Sequence, residues 1–76
     1  MDGISRVIDA RGIMAPLPIL DLRRALDAVH SGESVEIVSD DEAMAGDIAL
    51  FLSAAGHELE STENEDSAVK FRIRKA

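Results

Sequence analysis

Between Asp9 and Pro18 the chain sets a carboxylate, a guanidinium, a glycine, a thioether and two prolines around one small residue, Ala15. Covalent chemistry there needs a nucleophile, and alanine has no lone pair, no acidic proton and no attacking atom. Met14 is a thioether and cannot be deprotonated into one. Ser5, Ser31, Ser34 and Ser39 stand without the nearby base and orienting acid that a serine nucleophile requires. Asp40 and Asp41, followed by Glu42, suit acid/base work or a divalent cation. They also stand where a helix begins, and capping by Asp41, or by a box of Ser39 and Glu42, is the simpler use of them. His30 and His57 lie far apart without a ligand motif, so neither a metal nor a cofactor is expected. The chain has no cysteine, which removes disulfides, thiolate metal sites and thiol chemistry together.

These residues must be positioned by a small fold. The 76 residues contain no linker-like stretch and are expected to form one domain, 1–76. A chain of this size buries only roughly 60% of the surface that its unfolded form exposes, so efficient packing has to stabilise it. Fifteen acidic against eight basic residues give a net charge of −7, which repels phosphate backbones; no direct nucleic-acid binding is expected. The two aromatics, Phe51 and Phe71, offer little for base stacking and are expected in the core. The longest apolar run, 48–52, is far short of the roughly 18 residues of a membrane span. The segment around Asp2 shows no signal pattern, so a soluble, uncleaved, cytoplasmic protein without membrane contact is expected.

The β-branched stretch from Ile4 to Asp9, ended by Ala10-Arg11-Gly12, predicts a first strand. Proline is accommodated in a first helical turn, so a helix should start near Pro16. Ile19, Leu22, Leu26 and Val29, at spacings of three, four and three, give that helix one buried face. Gly32 is expected to close it, with His30 in the last turn at the negative end of the helix dipole. Val35, Ile37 and Val38 predict a central strand. Met44, Ile48, Phe51 and Ala55 predict a second amphipathic helix ending before Gly56. A terminal hairpin turns at 64–67 between 57–62 and 69–73, and its alternation pairs Leu59 with Ile73, Glu60 with Arg72 and Glu58 with Arg74. The order β-α-β-α-β-β, with both helices on one sheet face, is a two-layer α/β (α+β) sandwich. Right-handed crossovers make the first two strands parallel.

The run from Ile8 to Pro18, IDARGIMAPLP, resembles the signature of the TusA (SirA-like) sulfur-carrier family, in which a strand ending in L-D-x-x-G is followed by C-P-x-P at a helix start. Gly32-Glu33, Asp40-Asp41, Asp47-Ile48, Gly56 to Leu59 and Phe71 to Lys75 resemble the family as well, so the likeness covers nearly the whole chain. It implies a mixed sheet of order 1-2-4-3. It also implies a function, in which a cysteine at position 15 accepts sulfane sulfur from a cysteine desulfurase or rhodanese and passes it to a downstream acceptor protein. A helix amino terminus would favour the thiolate through its unpaired N–H groups and its dipole. With Ala15 in that position the chain is expected to be inactive in persulfide transfer. Asp9, Arg11, Gly12, Met14, Pro16, Leu17 and Pro18 are the residues that would form the remaining motif and partner-binding surface, with Met14 a partly buried filler. Two readings stay open: a natural, non-catalytic binding or regulatory relative, or a genuine carrier whose cysteine has been replaced by Ala15.

Overall fold

The computed structural model describes residues 4–76, and the expectation of an uncleaved amino terminus rests on Asp2, outside that range. Its elements are β1 (Ile4–Asp9), α1 (Leu17–Ala28), β2 (Ser34–Ser39), α2 (Met44–Ala55), β3 (Glu58–Glu65) and β4 (Ala68–Arg74). The sheet order is β1-β2-β4-β3; β1 and β2 run parallel, and β4 is antiparallel to both β2 and β3. One face of the sheet, carrying Val35, Ile37, Phe71 and Ile73, packs against Leu22, Leu26, Met44 and Ile48 of the helices to form the core.

In α1 the predicted stripe is present, with Leu22, Ala25 and Leu26 buried and Val29 buried just beyond the last turn. The helix stops at Ala28, earlier than Gly32 suggested, because Val29 is already extended. Gly32, at φ +86°, shapes the following turn into β2 instead. His30 therefore does not sit in the last helical turn. Its N–H donates to the Glu33 carboxylate, and the cation at the helix end is Lys75, whose Nζ donates to the Val29 carbonyl at 2.9 Å.

In α2 the buried residues are Met44, Ile48 and Leu52, whereas Phe51 is half-buried and Ala55 exposed. Leu50, Phe51 and Leu52 are consecutive apolar residues, so periodicity alone could not select which of them points inward. Gly56 ends the helix in the left-handed conformation at φ +81°, with its N–H donating to the Leu52 carbonyl at 2.8 Å.

The hairpin is tighter than predicted, with β3 running to Glu65 and Asp66 taking φ +51°, a conformation that a short polar side chain tolerates. Leu59 pairs with Ile73 and Glu58 with Arg74, as the alternation required. Leu59 is nonetheless 43% exposed, since β3 is an edge strand on which no residue is buried. A bulge between Leu59 and Ser61 puts Ser61 opposite Arg72, so the Glu60 to Arg72 register pairing is not formed. Glu60 reaches Arg72 from the bulge all the same, accepting from its Nε at 3.2 Å and also from the buried Ser34 hydroxyl. A bulge residue lies outside the strict alternation and can therefore serve two neighbouring strands.

Candidate functional site

The carboxyl ends of β1 and β2 lie side by side because the two strands are parallel neighbours, with Asp9 opposite Val38. Ala10, fully buried, continues this contact through its N–H to the Val38 carbonyl at 2.8 Å. The chain then leaves the sheet through Gly12, at φ +80°, where a side chain would strain the backbone. Arg11 folds back on Asp9, its Nε 2.9 Å from Oδ1 and its Nη2 2.8 Å from Oδ2. The side-chain bonds from Arg11, joined by its backbone N–H, lower the Asp9 carboxyl to about 2.

A folded-state value below the unfolded one means that the pair contributes above the ordinary carboxylate range and is lost as pH falls toward about 2. Both partners are more than half exposed, so the effect on global stability is strongly screened. A carboxyl-carbon NMR titration should give Asp9 a midpoint near 2 in the wild type, returning to the ordinary carboxylate range in Arg11→Met. An ordinary midpoint in the wild type would show that the turn is not closed in solution.

The loop that follows is held by the acids after β2. Gly12 N–H donates to Asp40 Oδ1 at 3.0 Å, and Ala15 N–H donates to Asp41 Oδ2 at 2.8 Å. The other Asp41 oxygen accepts from Ala43 N–H at 2.9 Å, and Ser39 Oγ accepts from Asp41 N–H at 3.1 Å. The Ala15 and Ala43 N–H groups hold the Asp41 carboxyl below its usual range. Sequence reasoning assigned these acids to capping, and Asp41 does take the Ala43 N–H in the turn that leads into α2, although the cap position itself is Ala43, without a side-chain cap bond. Asp41 also ties the start of α2 to position 15. The available signal was topological: acids directly after a strand that lies parallel to β1 must face the turn leaving β1.

Position 15 also differs from a helix end with free donors. Ala15 N–H is taken by Asp41, Leu17 N–H donates to the Met14 carbonyl at 3.2 Å and Ile19 N–H to the Pro16 carbonyl at 2.9 Å, while Pro16 and Pro18 carry no N–H. The α1 dipole remains as the positive influence, opposed by the carboxylates of Asp40 and Asp41.

The structure divides the predicted motif residues into two groups. Gly12, Met14, Pro16 and Leu17 are exposed around the half-buried Ala15, and the Asp9–Arg11 pair flanks them. Pro18 is fully buried in the core and cannot touch a partner. Met14 is 75% exposed and Leu17 59%, so Met14 is a surface residue where a filler was expected. Gly12, Ile13 and Met14 share an open cleft of about 550 Å³ with Asp40, Asp41 and Glu42. A second cleft of about 560 Å³ joins Arg11 and Asp40 to the hairpin tip at Asp66 and Ser67. Among the described residues no cluster of three or more His, Asp or Glu is placed to hold a metal, and no helix is long and apolar enough to cross a membrane.

A family profile described as Sulfurtransferase TusA matches residues 6–75. The chain belongs to the TusA family. It is 38% identical over 69 residues to a putative sulfur carrier protein of Archaeoglobus fulgidus, covering 91% of this chain and 94% of that one. It is 30% identical over 76 residues to the sulfur carrier protein TusA of Allochromatium vinosum, covering 100% of both. A crystal structure of a SirA-like protein from Desulfitobacterium hafniense superposes with a TM-score of 0.80 over 92% of this chain and 96% of that one, at 21% identity, and shows the shared fold. Within the TusA fold, then, the turn between β1 and α1 is closed around Ala15 by Asp40 and Asp41.

Proposed function

We propose that the chain, acting as one domain over 1–76 in the cytoplasm, is a naturally cysteine-free TusA-family protein. In this reading it binds sulfur-relay partners without carrying sulfur. The observation that carries it is the outward placement of Met14 and Leu17 on a loop closed by Asp40 and Asp41, which leaves an apolar contact surface where the covalent step is chemically impossible. Partners of this kind are a cysteine desulfurase, a rhodanese or a downstream acceptor, met through Arg11, Met14, Pro16 and Leu17. The net charge of −7 supports protein partners over nucleic acid.

Leu17→Lys tests the surface. Burying an unpaired charge in an interface should weaken association with a desulfurase or rhodanese of the source organism at least about tenfold in calorimetry. The melting temperature should fall by only a few degrees, since Leu17 is exposed and Lys at a helix start is mildly unfavourable. Unchanged affinity would remove this surface from the proposal, and absence of wild-type binding to any relay protein would remove the relay.

The intact clasp on position 15 favours a second reading, a true carrier whose cysteine has been replaced. The codon at position 15 in the source gene separates the two: alanine supports the binding protein, cysteine the carrier.

A further inference from the structure

The apolar contact surface has a distinctive rim. Ile13, Met14 and Leu17 are exposed together, and Leu20, one helical turn beyond Leu17, extends the patch along α1. Asp40, Asp41 and Glu42 share the cleft with Ile13 and Met14, and Asp66 shares the adjoining cleft with Asp40. None of these four acids is ion-paired among the described residues. Arg11, the nearby cation, is ion-paired to Asp9 and attracts Asp40 more weakly.

Resting on the proposed binding role, we infer that the motif face docks a protein surface in which an apolar side chain or two is flanked by lysine or arginine. The apolar patch supplies contact area, and the unneutralised acids select the sign of the partner's rim. Face to face, a second copy of this chain is a poor occupant. Its own motif face is equally acidic, and Lys70, Arg72 and Arg74 are engaged by Glu65, Glu60 and Glu58 on the hairpin. The basic cluster at 70–75 thus balances the edge strand, while the four acids at the motif end carry no ion pair of their own.

The test is an amide NMR titration of the intact chain with a synthetic helical peptide of leucine and arginine, alongside its leucine and glutamate counterpart. Expected are shifts concentrated at Ile13, Met14, Leu17 and Glu42 with the arginine peptide only, weakening as salt rises. The double variant Glu42→Gln, Asp66→Asn should weaken that binding about threefold. Its fold is safe, because Glu42 is exposed and Asn tolerates the left-handed backbone at 66. Shifts spread over β3, no shifts at the motif face, equal response to the glutamate peptide or unchanged affinity of the double variant each overturn the inference. Concentration-dependent shifts of the motif face without peptide overturn it in favour of self-association. Failure of the binding role shows separately, as relay proteins that do not bind a chain whose peptide response is as expected.

Discussion

Ala15→Cys is expected to gain roughly one sulfur mass when incubated with a loaded cysteine desulfurase, while the wild-type chain gains none. In that step the new thiolate attacks the sulfane sulfur of the donor persulfide, forming an S–S bond as the donor's S–S bond breaks and leaves a donor thiolate. Residue 15 packs against the core yet is only half-buried, between exposed Met14 and Pro16, and Asp40 and Asp41 hold the loop through its backbone N–H groups. The substitution therefore leaves the clasp intact. The thiol itself should titrate no lower than an ordinary cysteine, because the nearest N–H groups are engaged and the Asp41 carboxylate opposes the α1 dipole. Adding Asp41→Asn removes the charge and one of the two N–H bonds that the carboxylate accepts, and should lower it. Intact-mass spectrometry and a pH-rate profile with a thiol reagent read both effects. A variant that stays unmodified while its donor discharges elsewhere would leave binding as the use of this scaffold.

Leu22→Ala should cost about 2–5 kcal/mol, the range for truncating a fully buried leucine whose surroundings relax only in part. Leu22 is completely buried on α1 and packs in the single core between helices and sheet. At about 0.05–0.15 kcal/mol per residue the whole fold has roughly 4–11 kcal/mol of stability, and no disulfide adds to it. The loss is thus a large fraction of the total. Urea unfolding should show a much lower midpoint with an unchanged slope, and the melting temperature should fall by about 10 °C or more. Leu50→Ala, at a residue 74% exposed on α2, should change stability by less than about 0.5 kcal/mol. Similar effects at the two sites would mean that the helices do not pack as described. Because α1 begins two residues after Ala15, loosening this core should also weaken partner binding.

Much of the architecture is local and was legible as pattern. The spacing of Ile19, Leu22 and Leu26, the alternation of Val69, Phe71 and Ile73, and Gly56 after α2 each act over a few residues. Periods of 3.6 and 2 therefore identify helix, strand and buried face without knowledge of the rest of the chain. The Leu59 to Ile73 register follows from the same alternation carried through a short hairpin. The missing nucleophile is likewise a property of composition, since no fold can give alanine a reactive atom.

What folding alone decided involves partners distant along the chain. Asp41 finds Ala15 across 26 residues and Asp40 finds Gly12 across 28, because parallel pairing brings the ends of β1 and β2 together. Within one motif, Pro18 is buried and Met14 exposed, a division set by where α1 meets the sheet. Glu60 serves Ser34 and Arg72 only because a bulge releases it from the alternation. Side-chain periodicity reports which way a residue faces within its own element. What it meets there depends on how the elements pack, and that is set by burial and hydrogen bonding summed over the entire chain.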